Sequence, residues 1–154
     1  MICLSLGTNL GDKEQNLRNA IDAINMRIGP IVAQSAFFVT EPWGFESANS
    51  FLNACIAVET SLTPRQLLRV TQQIERQLGR KTKSNGTYHD RLIDIDILLY
   101  DDRIVCEPDL QIPHPLMAQR RFVLEPLDQI AHDQMVPGTL MSVGEMFKAL
   151  AANE

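Results

Sequence analysis

Arg91-Leu92-Ile93-Asp94-Ile95-Asp96-Ile97-Leu98-Leu99-Tyr100 reads as a strand whose two faces disagree. Side chains alternate along a strand, so Ile93, Ile95 and Ile97 point one way while Asp94 and Asp96 point the other. Two carboxylates side by side in an apolar run repel each other and lose hydration. A divalent cation with oxygen ligands offsets both penalties, and magnesium is the usual choice where phosphates are handled. The competing reading is a pair of solvent-facing aspartates on an edge strand. Leu92, Leu98 and Leu99 around the pair favour the metal.

Further out, other strands and helices frame this one. Residues 2–6 form a short apolar run ending at Gly7. Asp12 with Gln15 resembles a capping box, and Leu17, Ile21, Ile24 and Ile28 recur at helical spacing before Gly29-Pro30 stops the pattern. Residues 31–40 are rich in β-formers and predict one strand; 41–50, with Pro42 and Gly44, predict a loop. In 51–60, Leu52, Ala54, Ile56 and Val58 share one face, and Phe51, Asn53, Cys55 and Ala57 the other. Thr63, Pro64 and Gln66 open a second helix with the stripe Leu67, Val70, Ile74 and Leu78, closed by Gly79. The polar, basic stretch 80–90 predicts a loop, and Ser142 with Glu145 caps a last helix. The order is β-α-β-β-α-β plus a C-terminal helical extension. That is an α+β, ferredoxin-like antiparallel sheet with two helices on one face. The other face is left to the loops and the tail, where a ligand cleft can form.

The 154 residues suit one domain spanning 1–154. A net charge of -5 argues against broad binding to nucleic acid or to an anionic membrane. Cys3, Cys55 and Cys106 are odd in number and lack metal-type spacing, which points to a reducing, cytoplasmic setting. No signal peptide or membrane-spanning run is visible.

Positive charge nevertheless gathers in the middle. Arg76, Arg80, Lys81, Lys83 and Arg91 lead into the two aspartates, and Arg120-Arg121 follow later. Guanidinium forks beside a two-carboxylate metal site suit a polyphosphate. No Walker motif and no GxGxxG is present, so any ATP site is of another kind. His114 lies between Pro113 and Pro115, which restrict its backbone and aim the ring; its expected role is a hydrogen bond to a phosphate oxygen. Asn53 is the one amide on an apolar strand, and either a heterocycle edge or a sheet hydrogen bond would satisfy it. Phe51, Trp43, Tyr88 and Phe122 are candidates for a stacking slot.

Several segments in order resemble a known family: Ser5-Leu6-Gly7-Thr8-Asn9-Leu10-Gly11, Thr40-Glu41-Pro42-Trp43-Gly44, Phe51-Leu52-Asn53-Ala54, Leu78-Gly79-Arg80, Arg91 to Ile97, Ile112-Pro113-His114-Pro115 and Arg120 to Leu127. The chain resembles the 6-hydroxymethyl-7,8-dihydropterin pyrophosphokinases of folate synthesis. The resemblance implies magnesium-dependent transfer of pyrophosphate from ATP to the pterin hydroxymethyl group, releasing AMP. It implies two magnesium ions on Asp94 and Asp96, with Arg80 and Arg91 completing the catalytic group. On the ATP side it implies Gln72, Glu75, Arg80, Arg91, Ile97, His114 and Arg120. On the pterin side it implies Thr40, Trp43, Phe51, Asn53, Asp94 and Phe122, under loops that close over both substrates.

Two departures stand out. His89-Asp90 precede Arg91 where the family often has Gly-Pro, and Thr82 stands where a second loop arginine often occurs. A binding module without catalysis and a metal-dependent phosphohydrolase are the alternative readings. Association with other folate enzymes and the oligomeric state stay open.

Overall fold

The computed structural model describes residues 1–40, 50–79 and 92–154. Its main sheet contains β1 (Ile2–Thr8), β2 (Ile31–Gln34), β3 (Phe38–Thr40), β4 (Phe51–Val58) and β5 (Asp94–Tyr100). The strands run in the order β2-β4-β1-β5, with β3 also on β4, and every pairing is antiparallel. Helix α1 (Lys13–Arg27) connects β1 to β2, and α2 (Pro64–Leu78) connects β4 to β5. This is the expected α+β, ferredoxin-like arrangement.

The alternation read from the sequence divides two cores. Leu4, Leu6, Leu52, Ala54, Ile56, Ile95 and Ile97 pack with Leu17, Ile24, Leu67 and Ile74 of α1 and α2. On the other face Cys3, Cys55, Ala57, Leu98 and Leu99 pack with α3 (Arg121–Ala131) and α4 (Val143–Ala152). Removing this much apolar surface from water drives the layers together, at about 25 cal/mol per Å². The C-terminal extension is thus the cover of the second face.

Capping follows the sequence with one correction. Thr63–Gln66 and Ser142–Glu145 form complete capping boxes. Asp12 accepts from Gln15 N at 3.1 Å, but the Gln15 side chain turns to Asn19 instead of returning, so this box is half made. The stretch 31–40 also differs from expectation, since it is two strands and not one. Ser35 breaks it: its N–H reaches Cys55 O, and its hydroxyl accepts from Cys55 N at 2.9 Å in place of a ladder carbonyl. Ala36 N then leaves the sheet for the Gln129 side chain at 2.8 Å.

After β5 the chain turns at Asp101, with φ 52°, into a small hairpin of β6 (Val105–Glu107) and β7 (Leu110–Ile112). Arg65 in the first turn of α2 pairs with both Glu107 and Asp109 of that hairpin. A 3₁₀ turn, Met117–Gln119, then leads into α3. Among the described residues no helix is long and apolar enough to cross a membrane.

Candidate active site

Strand register builds the site. Gly7 of β1 pairs with Asn53 of β4 on one side and Asp94 of β5 on the other. One step along, Ser5 pairs with Cys55 and with Asp96. Asn53, Gly7 and Asp94 therefore form one row across three adjacent strands, with Asp96 next to it on the same face. Both aspartates are half-buried, while Ile93, Ile95 and Ile97 are buried on the opposite face, as the sequence pattern requires.

Gly7 was not singled out by the sequence reading, yet it is central. A Cβ built on it would lie 2.9 Å from Asn53 Oδ1. The absent side chain gives the Asn53 amide its place, the close-approach role that glycine has inside strands. Asn53 is buried, and its Nδ2 donates to Thr40 Oγ1 at 2.6 Å. Thr40 in turn pairs with Phe51 across β3 and β4. Thr40, Phe51 and Asn53 thus meet as a polar and aromatic group two strands from Asp94. Lys13 Nζ donates to Ser50 O at 3.1 Å and to Ser50 Oγ at 3.3 Å, fixing the entry to β4 next to Phe51. Asn16 secures the turn after β1 through Thr8 Oγ1 and Leu10 O. The Lys13 anchor depends on a contact 37 residues away, and no local sequence signal announces it.

His114 docks on the outer edge of β5, where its N–H donates to Leu98 O at 3.0 Å. Its Nδ1 accepts from Leu116 N at 3.2 Å, so the neutral ring carries its proton on Nε2 and offers a donor there. Burial, then the Arg120 charge, push the His114 pKa below 6.5, against an opposing pull from Asp94. Asp94 and Arg120 are thus each within electrostatic reach of His114. Arg120 is buried, with its guanidinium 5.5 Å from the centre of the Phe122 ring. Arg121, by contrast, is exposed and engaged with Glu125 and Glu154, away from this group.

On α2, Gln72 is exposed and Glu75 is buried, with Glu75 Oε2 accepting from Ile95 N at 2.8 Å. The Ile97 side chain belongs to the core under α1 and α2, which leaves only its main chain for a ligand. Trp43, Arg80 and Arg91 lie outside the described residues, as do Lys81, Lys83, Tyr88 and His89. His132 is exposed and pairs with Asp128 at 2.6 Å.

Among the described residues no group of three or more His, Cys, Asp or Glu converges on a metal position. Two strand carboxylates on one face still fit magnesium, which binds through one or two carboxylates and takes its remaining oxygens from phosphates and water. Paired acidic oxygens, a neutral imidazole donor and a buried guanidinium, together with an amide-and-aromatic group, define a group-transfer enzyme on a ferredoxin-like sheet.

Comparison with known proteins makes the assignment specific. Residues 3–132 match the family model described as 7,8-dihydro-6-hydroxymethylpterin-pyrophosphokinase (HPPK). A Porphyromonas gingivalis protein named 2-amino-4-hydroxy-6-hydroxymethyldihydropteridine pyrophosphokinase is 50% identical over 133 residues, covering 85% of this chain and 90% of its own. A protein of the same name from Methylorubrum extorquens is 41% identical over 136 residues, covering 88% and 85%. The crystal structure of wild-type Plasmodium falciparum HPPK-DHPS superposes with a TM-score of 0.82 at 15% identity, covering 99% of this chain and 45% of that one, and supports the fold. The chain belongs to the HPPK family and is an enzyme of the pyrophosphokinase class.

Proposed function

We propose that the chain acts as one domain to transfer pyrophosphate from ATP to the hydroxymethyl group of 6-hydroxymethyl-7,8-dihydropterin. The products are the pterin diphosphate and AMP, in a magnesium-dependent step of folate synthesis in the cytoplasm. The observation that carries this reading is the row Asn53–Gly7–Asp94, which sets a heterocycle-reading amide beside a metal-type carboxylate at a fixed strand spacing.

In this reading the pterin lies against Thr40, Phe51 and Asn53, closed in by Phe122 and Trp43. The Asn53 amide, held by Thr40, reads donors and acceptors on the ring edge. Asp94 and Asp96 hold magnesium. When bound, magnesium neutralises the phosphate oxygens and stabilises the charge that develops on the leaving oxygen. His114 donates its Nε2 proton to a phosphate oxygen, and Arg120 adds fixed positive charge beside it. Arg80 and Arg91 serve the same phosphates, while Gln72 and the Ile97 main chain belong to the nucleotide side; the Glu75 carboxylate is instead engaged by Ile95 N.

The hydroxymethyl oxygen bonds to the β-phosphorus, and the bond from that phosphorus to the α-phosphate oxygen breaks. AMP leaves with the electron pair. Orientation and electrostatics supply most of the acceleration, as in other phosphoryl-type transfers. The hydroxyl proton is released to solvent as the new bond forms, with Asp94 or Asp96 next to that hydroxyl.

Incubation with ATP, the reduced pterin and magnesium, followed by nucleotide chromatography, tests the reading. The expected nucleotide product is AMP in equal amount to pterin diphosphate, with no turnover after chelation. Production of ADP, or of AMP plus free pyrophosphate, would refute it.

A further inference from the structure

We propose that Glu75 is a positioning residue, which sets the reach of Asp94 and Asp96 from the opposite side of their strand; this rests on those aspartates holding magnesium. Among the described residues β5 is the edge strand of the sheet, and the outward N–H groups of its residues meet no neighbouring strand there. Ile95 is 5% exposed and lies between the two aspartates, and a buried N–H in that position requires an acceptor. Glu75, itself buried, supplies Oε2 at 2.8 Å. A carboxylate accepting from a main-chain N–H makes a stronger and shorter bond than a neutral acceptor.

A second contact from the same helix brackets Asp94 on its other side. Gly79 ends α2 with φ 140°, and a Cβ built there would fall 2.1 Å from Leu92 Cδ1. Leu92 therefore sits directly on the glycine. Along α2 the two anchors are four residues apart, about one turn. Along the chain they fall at Leu92, two residues before β5, and at Ile95 within it, with Asp94 between them. The helix fixes the chain at two points, and the carboxylates project from the fixed segment to the other face.

The test compares wild type, Glu75→Ala, Glu75→Gln and Gly79→Ala in two measurements. One is magnesium half-saturation of turnover at saturating ATP and pterin. The other is affinity for a non-hydrolysable ATP analogue in the presence of EDTA. Loss of a group that orients metal ligands costs about 10–100-fold in metal affinity or activity. Glu75→Ala is accordingly expected to raise the magnesium half-saturation at least about tenfold, with metal-free analogue affinity changed by less than about threefold. Glu75→Gln keeps an acceptor oxygen and should return the half-saturation to within about threefold of wild type. Gly79→Ala, which displaces Leu92, should shift it in the same direction as Glu75→Ala, and it carries the test if Glu75→Ala does not fold.

A loss confined to metal-free analogue affinity would make Glu75 a nucleotide contact and overturn the proposal. A Glu75→Gln defect as large as that of Glu75→Ala, or a Gly79→Ala enzyme with unchanged magnesium dependence, would overturn it too. If wild type itself turns over without magnesium, the metal reading fails and this inference falls with it. If wild type requires magnesium and Glu75→Ala matches it, only the positioning role fails.

Discussion

The face of the sheet under α3 and α4 has two halves that differ completely, although the same three strands make both. At one end the row Ala57–Cys3–Leu99 is buried and apolar, sealed by Val123, Leu124, Leu127, Val143 and Met146. At the other end, two rows on, stand Asn53, Gly7 and Asp94, with Asp96 beside Ser5 between them. Alternation runs unbroken through β1 and β4, while in β5 a register shift opposite Cys3 and Leu4 brings Leu99 onto the face of the aspartates; beyond that, what changes is the cover. The helices occupy one half, and where their cover stops the same inward-facing positions turn polar. A single sheet face thus supplies a dry core that fixes strand register and, by that register, aligns the functional side chains. The rigidity needed to hold them comes from the sealed half.

The sharpest way to separate the halves is to mutate one residue in each. Asp96→Ala is expected to cost at least about a hundredfold in kcat, the scale of removing a key electrostatic group, with little change in melting temperature. Wild-type turnover in that variant would dissolve the distinction. Leu124→Ala should do the reverse. Its side chain is fully buried, and truncation is expected to remove about 2–5 kcal/mol in urea unfolding while leaving activity per folded molecule near wild type. Gly7→Ala tests the boundary. Its methyl would displace the Asn53 amide, raising the KM for pterin roughly tenfold or more, equivalent to about 1–3 kcal/mol of hydrogen bonding, with kcat much less affected.

The smallest expected effect lies in the pH dependence of stability. Burial and Arg120 hold the His114 pKa below 6.5, so the unfolded chain takes up a proton more readily than the folded one. The metal-free protein should then lose stability as pH falls below 6.5, and His114→Gln should flatten that arm of the melting curve. His132 shifts the opposite way, raised by its hydrogen bond and charge interaction with Asp128. Its stabilisation is present below 6.5 and disappears as pH rises through the raised value, so the difference between wild type and His132→Gln should shrink toward high pH. Melting temperatures across pH 5–8 would show whether the two histidines bend the curve in opposite directions.

Much of this arrangement was legible in the chain. Alternation in 51–58 and 93–97 assigned residues to the correct faces, and the Thr63 and Ser142 caps marked the helix starts, because both signals are local; the register shift that puts Leu98 and Leu99 in one core was not visible. The division of 31–40 into β2 and β3 was not. It depends on Cys55 and Gln129, and the latter is 93 residues from Ala36. The hairpin of β6 and β7 was missed because three-residue strands are too short to show a period. Asn53 could be suspected as a lone amide, but the need for Gly7 beside it appears only once register places them opposite each other. The aspartate pair was visible at once, whereas Glu75 takes its role from Ile95, a partner twenty residues away that folding brings near.

One consequence follows from the way α2 is attached at its two ends. Arg65 holds the hairpin that runs on into His114, and Glu75 and Gly79 hold the segment around Asp94. Imidazole and carboxylate come from separate stretches of chain, yet both hang from a common rod. A displacement of that helix would therefore act on both groups at once, through the hairpin at one end and through Ile95 and Leu92 at the other.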